Sequence, residues 1–319
     1  MYRGIKNLTK SAIREADQYL ANRYIHHFKE KPALLTFLFH SLFRNREEID
    51  RHIIDPQQEI TVDTFRSFIV HMQNSGYNFI APDDILNGLD KRKQYAMITF
   101  DDGYYNNHLA LEVLQELNVP AVFFISSNHI RHQRTFWWDV VYRNRRHEGK
   151  SLDAIYAEIQ SLKAHRNNKI ESYILNTFGP DALKPVSDLD RPFTPKELKD
   201  FARSPLVILG NHTCNHAILT NYNKCEILKE YTECQEYLKE ITGKYPNIIA
   251  YPNGNYNTDA LEAAEEAGLP LGITVDQQKN RLPLSSTDRS HLKIKRYLLW
   301  GNKDMIDQCN YFRSDFHLA

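Results

Sequence analysis

Three short segments of this 319-residue chain carry residue types that do chemistry at spacings that matter. In Thr99-Phe100-Asp101-Asp102-Gly103-Tyr104, two adjacent carboxylates follow an apolar run. Carboxylates at the end of a buried strand are costly unless a cation or a hydrogen-bond donor compensates them. If one binds a metal, its neighbour stands beside the ion without ligating it, which separates ligand from base. The alternative is a pair of aspartates capping the next helix. Gly103 lets the chain turn sharply just beyond them. In Asn211-His212-Thr213-Cys214-Asn215-His216, two histidines sit at i and i+4. On one helical face both imidazoles could reach a single ion. Two neutral imidazoles and a carboxylate form a three-ligand divalent site with positions left for water. With 14 histidines in the chain, coincidence is the competing explanation. In Ala250-Tyr251-Pro252-Asn253-Gly254, Pro-Asn-Gly reads as a tight turn. Its amides could face a developing oxyanion.

Each segment follows a short apolar run fit for a buried strand. Eight such runs recur: 34–39, 77–80, 95–100, 121–125, 206–210, 247–251, 271–275 and 294–299. Stretches of helical pattern lie between several of them. Continuous rather than alternating apolar runs, separated by helices, predict parallel strands covered by helices. Eight of them predict a closed or nearly closed β/α barrel, whose sites form at the C-terminal strand ends. A doubly wound open sheet is the alternative. About eighty residues separate 121–125 from 206–210, far beyond an ordinary loop. Residues 128–205 therefore read as a helical insertion over one face of the barrel, not a second domain with its own core. Phe136, Trp137, Trp138, Val141, Ile155, Ile159 and Leu162 are expected to pack it, either as a wall narrowing the site or as a homo-oligomer interface. Residues 1–31 read as an N-terminal helical extension, capped at Asn7 or Thr9, and 32–319 as the barrel.

Lys plus Arg and Asp plus Glu are both 40, so the formal net charge is zero and gives no general affinity for nucleic acid. No run approaches about 18 uninterrupted apolar residues, so no membrane span is expected. The first residues lack an apolar core and a small-residue cleavage site. None of the four cysteines forms a CxxC pair. The expectation is reduced thiols in a cytoplasmic protein.

Together the three segments resemble the polysaccharide deacetylase family, also called the NodB-homology or carbohydrate esterase 4 domain. Residues 99–103 read TFDDG, that family's first motif in full, and residues 212–216 read HTCNH, its HTxxH second motif in full. The resemblance covers roughly residues 32–300, with the insertion between the first two motifs. It implies an α/β fold, a distorted (β/α) barrel of seven or eight parallel strands. Carried over position by position, it implies Asp101 as general base and Asp102, His212 and His216 as ligands of a divalent metal. Zinc is the default for that donor set, with cobalt, nickel or manganese as alternatives. Such an ion would polarise the acyl oxygen and acidify a water, and Asp101 would take the water's proton. A backbone N–H near Asn253 would help hold the oxyanion, and Tyr251, Pro252 and Asn253 are the substrate-binding candidates.

This chain departs from the family pattern in two places. Where many members carry an arginine two residues before the motif proline, it has Ala250. Relatives with an AYP-type third motif draw an arginine from the last strand, which implies Arg296 as the group orienting Asp101; a strand-end salt bridge is the alternative. The family's acid histidine has no clean counterpart. His291, read as a surface-loop residue, and His40, at the end of the first strand, are the nearest. Trp137 and Trp138 could stack on a sugar face or anchor the insertion. The implied activity is hydrolysis of an N-acyl, chiefly N-acetyl, group from an amino sugar or a sugar intermediate of glycan biosynthesis. A catalytically silent carbohydrate-binding domain and an amidohydrolase acting on a non-sugar amide are the alternatives.

Overall fold

The computed structural model describes residues 16–284 and 288–316. The expected helix caps at Asn7 and Thr9 lie outside the described residues. All eight apolar runs contribute strands: β1 (Ala33–Phe39), β2 (Asn78–Phe79), β3 (Tyr95–Phe100), β4 (Ala121–Ile125), β5 (Val207–Asn211), β6 (Ile248–Ala250), β7 (Leu271–Ile273) and, after the short β8 (Asn280–Arg281), β9 (Arg296–Leu298). The main path runs β7-β6-β5-β4-β3-β1, and β9 pairs with β1. Parallel pairing of Thr36 with Arg296 and of Leu38 with Leu298 sets the β1–β9 register. A single parallel bridge between Ile273 and Ile294 links β7 to the chain entering β9. Seven parallel strands thus form a nearly closed, distorted barrel, and the open-sheet alternative falls. β2 pairs with Tyr95 and Ala96 of β3, while β4 takes over the same edge from Ile98 onward. β8 is an antiparallel pair on β1 at Ala33–Leu34. It escapes sequence reading because Asn280-Arg281 carries no apolar signature.

Alternation along the strands decides what faces inward. In β1, Leu35, Phe37 and Phe39 join the layer between sheet and helices, whereas Leu34 lies in the cluster inside the barrel with Met97, Phe124 and Ile273. The outer layer is ring-rich: Phe100 lies 5.3 Å from Phe39 and 4.9 Å from Phe123, centroid to centroid. The same alternation in β9 puts Tyr297 in the outer layer and turns Arg296 into the barrel.

Helix α1 (16–27) is tied to the last helix through the Asn22 amide, which donates to Asp307 at 2.8 Å. Helix α2 (Val62–Asn74) buries Phe65, Phe68, Ile69 and Met72, one face at i, i+3, i+4 and i+7. Its N-terminus is capped by Thr61, whose hydroxyl accepts the Thr64 N–H. The insertion contains α3 (Trp137–His147), α4 (Leu152–Leu162), α5 (Asn167–Phe178) and α6 (Pro195–Phe201). All seven apolar residues expected to pack it are buried in one cluster with Ile170, Ile174 and Tyr104. The insertion therefore has an apolar centre of its own, sewn to the barrel through Tyr104, the residue after the first motif. Around the α4–α5 turn, Arg166 forms a two-pronged contact with Glu226 at 2.8 and 3.0 Å. The Asn221 amide donates to the carbonyl oxygens of Lys163 and His165, both at 3.0 Å.

Candidate active site

At the C-terminal end of β3 the chain turns through two residues of positive φ, Asp102 at 77° and Gly103 at 85°. Left-handed backbone is costly for a residue with a Cβ and free for glycine. The turn sends the two adjacent carboxylates in different directions. Asp101 meets Arg296, and Asp102 meets the histidines.

The histidine segment does not form the helix that i,i+4 spacing suggests. It is a turn with Thr213 at φ 63° and His216 at φ 51°. Side chains take over the backbone bonding. Asn211 Oδ1 accepts the Thr213 N–H at 2.8 Å, and Thr213 Oγ1 accepts the Ala217 N–H at 2.9 Å. Both imidazoles nevertheless converge on one carboxylate oxygen. Asp102 Oδ1 lies 3.5 Å from His212 Nε2 and 3.3 Å from His216 Nε2. His212 donates its Nδ1–H to the Ala250 carbonyl at 2.8 Å, which leaves Nε2 facing Asp102.

These three residues suit a divalent ion. Their ligand atoms all lie within 4.8 Å of one another. Asp102 Oδ1 is buried without a hydrogen-bond partner, a cost the structure bears unless a cation sits there. Donors about 2.0–2.1 Å from one tetrahedral ion are about 3.3–3.4 Å apart, close to the two separations observed. Protonation agrees. Burial alone would raise the Asp102 carboxyl, but the facing imidazoles, His212 first, outweigh burial and hold it well below the usual range. Burial pushes the His216 imidazole down to about 3, so it is neutral. His212 is shifted the other way: burial lowers it, but Asp101 and Asp102 outweigh burial and raise it.

Asp101 sits beside the trio, its Oδ2 3.9 Å from His212 Nε2. Arg296 grips it with both prongs, Nη1 to Oδ1 at 2.6 Å and Nη2 to Oδ2 at 2.8 Å. The guanidinium is fully buried and fixed further by the Thr274 carbonyl at 2.9 Å and Thr99 Oγ1 at 3.2 Å. Burial pushes Asp101 up, yet Arg296 and then His212 prevail and hold it below the ordinary carboxylate range. An ionised carboxylate beside a prospective metal, bonded to nothing that would protonate it, can accept a proton.

A cavity of about 450 Å³ opens above these groups. His40 and Leu38 of the β1 end, Asp55, Asn253 and Gln277 line it from the barrel side, and Trp137, Trp138, Tyr156, Ile159 and Lys163 from the insertion. Of the three substrate-binding candidates, only Asn253 reaches the cavity. Tyr251 is fully buried, its hydroxyl donating to the Leu292 carbonyl at 3.0 Å. It points across the strands over Gly272, where a Cβ would lie 2.3 Å from its hydroxyl oxygen. Pro252 is likewise buried inside the turn. The turn holds Asn253 at φ 56°, and Lys163 donates to its Oδ1 at 2.6 Å.

His291 lies elsewhere, beside Leu271, Pro283 and Leu284 in a separate groove. His40 faces the site, its Nδ1 2.9 Å from Gln58 Oε1. Gln58 is oriented by donating to the Leu38 and Leu299 carbonyls, so its oxygen accepts from His40. Trp138 anchors the insertion through its N–H, which donates to the Tyr104 hydroxyl at 3.0 Å, and it also lines the cavity. Sequence reading did not find Asp55, Tyr156, Gln277 or Lys163. They carry no motif, and only the folded insertion and loops bring them to the cavity.

The sequence profile of the polysaccharide deacetylases matches residues 88–272, more than half of the chain. The chain belongs to the polysaccharide deacetylase family. Among curated relatives, this deacetylase-family chain is 22% identical over 253 residues to YxkH of Bacillus subtilis (strain 168), which bears a provisional polysaccharide deacetylase name. That match takes in 77% of this chain and 66% of YxkH, so the chain spans just under two thirds of that relative's length. The fold is shared with the Streptococcus pyogenes deacetylase PplD, solved in complex with acetate, at TM-score 0.59 and 17% identity over 88% of this chain and 99% of that one. BC0361, a polysaccharide deacetylase from Bacillus cereus, superposes at TM-score 0.60 with 15% identity over 88% of this chain and 69% of its own. His40 and Arg296 fall outside the matched span, and the barrel brings both to the site.

Proposed function

We propose that this polysaccharide deacetylase homologue is a metal-dependent N-deacetylase acting on an amino sugar or a short glycan intermediate. One observation carries the proposal. An ionised, arginine-held Asp101 stands next to a buried carboxylate and two imidazoles whose ligand atoms converge on one point. Asp102, His212 and His216 would hold the ion, with zinc the default for this donor set and cobalt, nickel or manganese as alternatives. A divalent ion there would supply Lewis acidity at the acyl oxygen and acidify a water.

The chain's own groups do the rest. Asp101 accepts the proton of the attacking water, and Arg296 keeps that carboxylate ionised and aimed. A backbone N–H of the turn at Asn253 helps hold the oxyanion. His40 Nε2, on the cavity wall, is the group placed to protonate the departing amine. A cavity of about 450 Å³ suits a single sugar or a short oligomer. The aromatic residues of the insertion close one side. Four free cysteines support a reducing, cytoplasmic compartment, where substrates are biosynthetic intermediates rather than finished polymer. Acetate release from a panel of N-acetyl sugars and nucleotide sugars, with and without chelator, tests this. Release that chelator abolishes and zinc restores is expected. Release indifferent to chelator and to added metal would overturn the proposal.

A further inference from the structure

The two histidines facing Asp102 are held in different ways. His212 has its ring fixed by the Nδ1–H bond to Ala250. The Nδ1 of His216 makes no hydrogen bond to protein among the described residues, and its backbone is left-handed. Packing holds its imidazole instead. The Trp138 ring lies 4.6 Å from it at 56°, and Phe136 lies 6.2 Å away at 74°.

Trp138 is itself locked in place. Phe136 stacks on it at 4.5 Å. Its indole N–H donates to the Tyr104 hydroxyl at 3.0 Å, and that hydroxyl donates to Asp139 Oδ2 at 2.6 Å. The other oxygen of Asp139 accepts the Asp55 N–H at 2.9 Å. Asp139 is fully buried and Tyr104 nearly so. The chain of contacts thus runs from the first motif through a buried carboxyl and an indole of the insertion to a histidine of the second motif.

We propose that Trp138 is a positioning residue for His216, so that the insertion completes the metal centre as well as walling the cavity. A ligand histidine is ordinarily aimed by a hydrogen bond from its second nitrogen to a carbonyl, carboxylate or water. Here the indole face restricts ring rotation in its place, and Tyr104 with Asp139 fixes the indole. Without that face the His216 ring gains orientations that binding must remove. The proposal rests on the metal reading above.

The test is made on the full chain, stripped of metal. Zinc affinity is measured by competition with a chromophoric chelator, coordination by the visible spectrum of the cobalt form, and fold by thermal unfolding of the metal-free protein. Trp138→Ala should raise the zinc Kd about 10–100-fold, the usual cost of losing such outer support, and alter the cobalt spectrum. Trp138→Phe keeps a ring against His216 and should lose less. A folded Trp138→Ala with wild-type Kd and spectrum overturns the proposal. If that variant does not fold, Trp138→Phe and Tyr104→Phe decide: a changed cobalt spectrum in either supports it, and wild-type Kd and spectra in both overturn it. A wild-type chain that binds neither zinc nor cobalt would instead overturn the metal reading.

Discussion

Replacing Arg296 by methionine would remove the cation that does most to keep Asp101 charged. Both groups are buried, Arg296 fully and Asp101 at 4% exposure. Breaking a buried pair by deleting one partner costs about 3–5 kcal/mol, because the remaining charge is left uncompensated. Protonation is the relief. At about 1.36 kcal/mol per pKa unit, that cost moves the Asp101 pKa up by about 2–4 units from its depressed wild-type position. The sign follows from the role of the group. A base works only when ionised, so wild-type Asp101 is competent well into acid, whereas in Arg296→Met competence is lost as pH falls through the raised pKa. With zinc saturating, so that occupancy of the site does not set the acid limb, that limb of kcat/KM for acetate release should therefore move up by about 2 units or more. Zinc affinity should change little, because Asp102, His212 and His216 are untouched. Thermal unfolding supplies a second readout. Arg296→Met and Asp101→Asn each leave a buried group unpaired, while the double variant removes the whole ion pair and should melt above Arg296→Met. An acid limb that does not move in Arg296→Met, together with additive losses in melting temperature, would refute the coupling.

Asp101→Asn should keep full zinc occupancy and lose about 10²–10⁴ in turnover, since an amide cannot accept the water's proton; metal analysis beside steady-state kinetics checks both halves, and wild-type turnover would remove Asp101 from the mechanism. In the wild type the acid limb should depend on metal concentration. Asp101 is held low while His212 is raised, and a metal binds only the neutral imidazole. Occupancy falls as pH drops through the His212 pKa, and added zinc should push the limb to lower pH; a limb indifferent to zinc would place it elsewhere. Because aromatic residues of the insertion wall the cavity, acetate should be released faster from single N-acetyl sugars than from long chitin-like strands, and equal rates would count against the wall.

What could be read in advance tracks how local the determining forces are. Continuous apolar runs such as Ala33–Phe39 define strands because every residue of that stretch is buried. The parallel barrel follows from their alternation with helices. The Asp102–His212–His216 cluster and the Asp101–Arg296 contact were legible as motif and strand-end placement. The local shape of the histidine segment was not. Asn211 and Thr213 side chains replace helical bonding there with a left-handed turn, and nothing in i,i+4 spacing registers that. Tyr251 was misplaced for the opposite reason. It adjoins a motif, but the missing Cβ of Gly272 opens a buried slot that takes its ring away from the cavity. Lys163 and Asp55 carry no signature at all and reach the site only through tertiary contacts.

The place of Arg296 in the chain orders the enzyme's assembly. Synthesis runs from the N-terminus, so Asp102, His212 and His216 are all made while β9 is still unmade. A nascent or truncated chain that stops before Ile294 lacks both the bridge that closes the ring and the guanidinium that charges the base. Such a chain holds the three candidate ligands of an ion but not the group that would keep Asp101 charged. On the proposed mechanism, completion of the last strand is therefore what would equip Asp101 to work as a base.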